Sequence, residues 1–137
     1  MYARLFLIVG GAVLLLLGIV GYLGIFTKEN TPWFWLDNGE NVAHTFLGIV
    51  ALAAVYVPGL NTALKPYYRA IVALVGVIAL FFAGYGFLQA SGAEPNTFSI
   101  SNLENPSDNI LHLVVAIVAF AAAWMGMSSS DRSMSAS

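Results

Sequence analysis

The chain has 137 residues, 59% of them hydrophobic and only 9% charged, with a mean hydropathy of +0.81. A soluble domain carries about 25% charged residues, so a water-exposed surface is excluded and the lipid bilayer is the expected solvent. The absence of cysteine excludes disulfides and thiolate metal sites, and a net charge of -2 leaves no basic footprint for nucleic acid.

A membrane helix needs about 20 mainly apolar residues, and four segments qualify. The first is roughly 3–26. Its apolar run extends from Leu5 to about Phe26, longer than the ~7–15 residues of a signal-peptide core, and no small-x-small cleavage site follows, so it reads as a retained anchor. The second is roughly 40–57, with Asp37 or Asn38 as N-cap and Pro58-Gly59 as its stop. The third is roughly 66–89, opened by Pro66, a residue suited to a first helical turn. The fourth is roughly 107–127, with Ser107 or Asp108 as N-cap after Pro106. Backbone groups cannot stay unpaired in hydrocarbon, so these runs must be helices, and their lack of strict alternation argues against a barrel. The prediction is an all-α, four-helix transmembrane bundle over residues 1–127, with a frayed serine-rich tail over 128–137.

Basic residues set the orientation. Arg4 precedes the first span, Lys65 and Arg69 lie at the turn between the second and third, and Arg132 follows the fourth; only Lys28 lies on the other side. This bias puts both termini and the middle turn in the cytoplasm. Glu29, Asp37, Glu40, Glu94, Glu104 and Asp108 then face outward. Trp33, Phe34, Trp35, Phe98 and Ile100 fall in the two outer loops, where aromatics anchor at the interface, with Tyr2, Tyr67 and Tyr68 as the inner belt.

A short motif occurs twice. Glu40-Asn41-Val42-Ala43-His44 opens the second span, and Asp108-Asn109-Ile110-Leu111-His112 opens the fourth, 68 positions later. The only two histidines fall at equivalent places. Gly21-Tyr22 and Gly84-Tyr85 match near the outer ends of the first and third spans, at an offset of 63, and a longer second loop absorbs the difference. The chain therefore reads as two tandem hairpins, about 3–57 and 66–127. They insert with the same orientation, so their pseudo-twofold axis runs along the membrane normal, unlike that of inverted-repeat transporters. If the second and fourth helices face each other across that axis, so do His44 and His112.

The Gly-Tyr end of the first span, Asn41-x-x-His44 and Asp108-Asn109-x-Leu111-His112 together resemble an uncharacterised family of small bacterial four-helix integral membrane proteins, over roughly positions 4 to 125. The resemblance implies the fold and a place in the bacterial inner (plasma) membrane, and brings no activity with it.

Positions i, i+3 and i+4 share a helix face, so Glu40, Asn41 and His44 lie together, as do Asp108, Asn109 and His112. Polar groups this close to hydrocarbon should point into the bundle. In the structural reading each Asn hydrogen-bonds the other repeat's His or caps a helix end, a contact of about 0.6 kcal/mol that fixes register; Gly48 and Ala116, one turn deeper, let helices approach. In the ligand reading His44, His112, Glu40 and Asp108 hold zinc or a similar ion, or the two histidines are axial ligands of a b-type haem. In the third reading the cluster handles protons, since a histidine titrates near neutrality; the apolar stretch below it argues for a sensor rather than a conduit.

No enzyme is predicted. The only histidines sit in the repeat motifs, so no Ser-His-Asp set is implied, and the glycines lie in apolar spans as packing positions. Glu40 and Asp108 are also adequately explained as first-turn acids favoured by the helix dipole, and Trp124, Met125 and Met127 as interfacial or packing residues. The expectation is a small membrane protein with a structural or partner-binding role, whose partners are the lipid bilayer and further copies of itself or a larger membrane complex.

Overall fold

The computed structural model describes residues 1–125; Met127, Arg132 and the tail 128–137 lie outside the described residues. The elements are α1 (Tyr2–Tyr22), α2 (Asn38–Tyr56), α3 (Pro58–Leu64), a 3₁₀ turn (Lys65–Tyr67), α4 (Tyr68–Leu88) and α5 (Ser107–Met125). The protein is all-α; among the described residues there is no strand, only an isolated bridge between Thr97 and Ser101. Four helical segments are long and apolar enough to cross a membrane: α1, α2, the run Pro58–Leu88 and α5. No more than 28% of any of these spans is buried inside the chain. Most of their apolar surface therefore faces outward, as a bilayer requires.

Several boundaries differ from the sequence expectation. The first helix ends at Tyr22 rather than near Phe26, because Gly24 turns into the left-handed region (φ +68°) and its N–H, like that of Leu23, bonds back into the last turn. Pro58 does not end a span in a loop. It pushes Val57 into an extended conformation and then occupies the first turn of α3. Pro66 lies in the 3₁₀ turn, so the long helix starts two residues later, at Tyr68.

The helices pair as two hairpins, α1 with α2 and α4 with α5. In the first hairpin the contact is backbone to backbone. A Cβ on Gly48 would stand 2.5 Å from the Leu15 nitrogen and 2.8 Å from the Gly11 carbonyl oxygen. Such close approach is the main source of helix attraction in lipid, where apolar burial alone gives no advantage. In the second hairpin the seam is alanine-rich, with Ala79, Ala83, Ala116, Ala119 and Ala122 buried. Gly76 there faces the Phe120 ring rather than a backbone.

The hairpins join at two levels. At the end that carries the N-terminus, Ala3 and Leu7 of α1, Val55 of α2, Tyr68 and Val72 of α4, and Ala119 and Ala122 of α5 form one apolar knot. Within it the Tyr68 hydroxyl donates to the Ala54 carbonyl at 2.7 Å, satisfying one of the four carbonyls that the end of α2 leaves unpaired. At the opposite end, residues 23–37 and 89–106 form two loops that are joined by polar contacts. The extended seam between hairpins runs from α1 to α4 and α5. The second and fourth spans therefore do not face each other along their length, as expected from the axis; they meet through carboxylates at the loop end.

Tyr68→Phe removes the hydroxyl and leaves the Ala54 carbonyl without its donor. The expected loss is about 1–3 kcal/mol of stability, read as a lower unfolding midpoint in mild detergent with helical content unchanged.

Candidate functional site

The loop end is organised by the start of α2. Asp37 is its N-cap, and with Glu40 it forms a reciprocal capping box: the Glu40 N–H donates to Asp37 at 2.9 Å and the Asp37 N–H donates to Glu40 at 3.1 Å. An Asp followed three residues later by Glu is the sequence signature of this arrangement. The same Asp37 carboxylate reaches the other hairpin. It accepts from the Ser101 hydroxyl at 3.0 Å and from the Asn102 backbone N–H at 2.7 Å. Further links are the Lys28–Glu94 ion pair at 2.7 Å and a hydrogen bond from the Ser107 hydroxyl to the Trp33 carbonyl. Lys28 also lies 5.5 Å above the Trp35 ring. Sequence reasoning treated Asp37 only as a helix cap; its role between hairpins depends on a loop 64 residues away and has no local signal.

The start of α5 is built differently. Ser107 and Asp108, expected as alternative N-caps, both lie inside the first turn. Asp108 reaches back to accept from the Glu104 N–H at 3.0 Å. The Asn109 side chain donates to Asn105 at 3.1 Å. As a result Glu40, Glu104 and Asp108 converge, with one oxygen from each lying within 4.8 Å of the others. Glu104 also lines a cavity of about 310 Å³ between the loops, with Trp33, Trp35 and Asn102. Glu104 was not among the residues expected here, since it precedes the repeated motif; two acids four residues apart at a helix start were the available signal.

Three carboxylates with few donors resist ionisation. Neither Glu104 side-chain oxygen has a hydrogen-bond donor. Burial, then a hydrogen bond shared with Asp108, then the charges of Asp108 and Glu40 push the Glu104 carboxyl up from 4.5 to about 10. A proton on Glu104 turns its contact with Asp108 into an O–H···O bond.

The histidines take other places. His112 Nδ1 is 2.8 Å from the Asp108 carbonyl, one turn earlier on its own helix, and its ring is 5.8 Å from that of Phe82. His44 Nδ1 is buried without a partner. Neither histidine belongs to the converging carboxylate group, so the set His44, His112, Glu40 and Asp108 is not gathered as one. A haem between the histidines finds a poor fit, because the His112 ring packs on Phe82.

Nor does either asparagine bond the opposite histidine. Asn41 is 2% exposed and Asn109 0%, and the Oδ1 of each lacks a conventional donor. Each instead presses on a glycine of its own hairpin: a Cβ on Gly21 would collide with Asn41 Oδ1, and one on Gly86 with Asn109 Oδ1. In both places the glycine Cα–H points at the oxygen, a weak hydrogen bond of about 0.5–1 kcal/mol. The partner of Asn109 is thus Gly86, two residues beyond the Gly84 matched from the sequence; around Gly84 there is open space.

No protein-family model, curated protein or solved structure matches the chain.

Two predictions follow from this geometry. Gly21→Ala and Gly86→Ala should each cost about 1–3 kcal/mol by overpacking a buried contact, while Gly84→Ala should change stability by less than about 0.5 kcal/mol; denaturant titration in detergent compares the three. Because folding raises the Glu104 pKa above its unfolded value, the native state holds a proton that the unfolded chain releases. The contribution of Glu104 is full below pH 4.5 and is lost as pH rises toward about 10. Melting curves across that range should show a falling midpoint, and Glu104→Gln should flatten the fall.

Proposed function

We propose that this is a non-enzymatic integral membrane protein of two duplicated hairpins, in which the loop-end polar cluster is a structural lock and the outward helix faces are left for lipid and for protein partners. The observation that carries this reading is the Asp37 carboxylate, which caps α2 of one hairpin and takes Ser101 and Asn102 of the other. The polar residues of the repeated motif serve the same end. Asn41 and Asn109 hold each hairpin closed on Gly21 and Gly86, and Glu40 and Asp108 meet between hairpins.

Duplication is supported by the pattern of burial. In α1 and α4 the buried pairs Ala3 and Tyr68, Leu7 and Val72, Gly11 and Gly76, Gly18 and Ala83, and Gly21 and Gly86 all recur at an offset of 65. In α2 and α5, Glu40 and Asp108, Asn41 and Asn109, Gly48 and Ala116, and Ala54 and Ala122 recur at 68. The difference of three equals the extra length of the second loop, 89–106 against 23–37. In this reading both termini are cytoplasmic, the loops face outward, and the membrane is the bacterial inner (plasma) membrane, in line with the basic bias of Arg4, Lys65 and Arg69 and with the family resemblance carried by Asn41, His44, Asp108, Asn109, Leu111 and His112.

The convergence of Glu40, Glu104 and Asp108 favours one second reading, a cation site. An all-carboxylate set suits a hard, oxygen-seeking divalent ion more than zinc or haem iron.

One experiment separates the two. The full chain is purified in mild detergent, analysed for metal and by absorption spectroscopy, and compared with Asp37→Ala and Glu104→Gln by hydrogen exchange. The structural reading expects no stoichiometric metal. It also expects faster exchange in Asp37→Ala at residues 97–102 and in the first turn of α2, with the apolar knot still protected. A stoichiometric divalent ion that is lost in Glu104→Gln would replace the lock with the cation site. Unchanged exchange at residues 97–102 in Asp37→Ala would remove the lock itself.

A further inference from the structure

The strongest unassigned feature lies at the other end of the bundle. Between α4 and α5, near the start of one and the last described turn of the other, is a cavity of about 420 Å³ lined by Arg69, Ala70, Ala73, Phe120, Ala123 and Trp124. It exists because three alanines stand where the two helices diverge. Its wall is almost wholly apolar, and its one charged group is Arg69. The Arg69 Nε donates to the Ala123 carbonyl at 3.1 Å. That bond fixes the guanidinium across the groove and directs its remaining N–H donors away from the carbonyl. Trp124 stands beside it, 74% exposed.

An apolar trough with a fixed guanidinium at its mouth has the polarity of an anionic amphiphile. Guanidinium matches phosphate with paired N–H donors. A tryptophan at a helix end suits the headgroup boundary, where one side of the ring is apolar and the other wet. Charge at this end of the bundle is complementary to such a ligand. Arg4, Lys65 and Arg69 gather here, and among the described residues no carboxylate does, whereas Glu29, Asp37, Glu40, Glu94, Glu104 and Asp108 all lie at the loop end. Basic pockets between membrane helices are places where acidic headgroups bind. A neutral lipid would fill the trough and leave Arg69 with only a carbonyl for a partner.

We propose that the groove between α4 and α5 holds one anionic phospholipid, with its phosphate on Arg69 and an acyl chain over Ala70, Ala73 and Phe120. The site rests on the groove and its charge alone, so it stands whether or not the loop end is a lock.

The test titrates the detergent-purified full chain with phosphatidylglycerol and, separately, with phosphatidylcholine of the same acyl chains, and counts retained lipid by native mass spectrometry. The expected result is one retained phosphatidylglycerol, preferred over phosphatidylcholine by about fivefold or more, the contribution of a single well-placed cation. Arg69→Gln should abolish the preference and Arg69→Lys should keep part of it. Ala73→Phe should displace the lipid without changing charge. Inorganic phosphate should not compete; if it competes as well as the lipid, the site is for a phosphate ion and the proposal fails. A photoreactive acyl chain on phosphatidylglycerol gives an assay in the unmodified protein. Labelling concentrated in residues 69–73 and 120–124 supports the site, and labelling spread evenly over α1 and α2 overturns it. Equal retention of the two lipids also overturns it.

Discussion

A carboxylate at a membrane boundary must be surrounded by donors, and much of the loop end follows from how Asp37 meets that requirement. Water there is scarce and α2 supplies only one first-turn N–H, from Glu40, at 2.9 Å. The others come from Ser101 and Asn102, on a loop that belongs to the second hairpin. Satisfying one cap therefore fixes where the loop 89–106 sits. That placement brings Glu104 beside Asp108 and sets both against Glu40. The donors collected by Asp37 are unavailable to these three, which explains why a neutral, proton-sharing Glu104 follows from the same arrangement. Rich and poor supplies of hydrogen bonds lie side by side, and the second is a consequence of the first.

Within each hairpin the asparagine–glycine contact solves a similar problem with less. An asparagine has to lose water to enter the helix seam, and burial without partners costs free energy. Asn109 recovers part of that cost through Asn105. Asn41 and Asn109 both place Oδ1 against a glycine Cα, where any side chain would collide. The glycine thus does two things: it lets the helices approach, and it offers the weak donor that close approach creates. This accounts for polar residues that bond neither histidine, although the histidines are only one turn away.

The amount legible in the sequence varied with the range of the interaction. Helix number and class followed from composition and length, because the bilayer leaves few alternatives. The ends of α1 and α4 were less legible. Gly24 stops α1 through a local conformation that a run of apolar residues hides, and Pro58, read as a stop, is the first residue of a new helix. The repeated Glu/Asp-Asn motif located the buried polar positions correctly, since Glu40, Asn41, Asp108 and Asn109 are all buried. Their partners were not legible. Gly84-Tyr85 copies Gly21-Tyr22 in letters, yet Gly86 makes the contact; the choice depends on helix rotation, which residue identity does not encode. Asp37 to Ser101 and Glu104 to Glu40 are long-range contacts between loops, where no periodicity exists to read.

The two ends of the bundle differ in what can hold hairpins together. In hydrocarbon, apolar burial against another helix replaces burial against lipid, so the knot of Leu7, Val55, Val72 and Ala119 is stabilised by packing density and by the Tyr68 hydrogen bond rather than by exclusion of water. Individual polar contacts in membranes contribute only about 0.6 kcal/mol. At the loop end the chain leaves hydrocarbon, and Leu36 and Leu103, 7% and 5% exposed, are shielded from water as in a soluble core. Burial regains its driving force there. It follows that the loops are not mere connections between spans: they carry the part of hairpin association that water can drive, and the polar lock around Asp37 lies where that driving force and the helix ends meet.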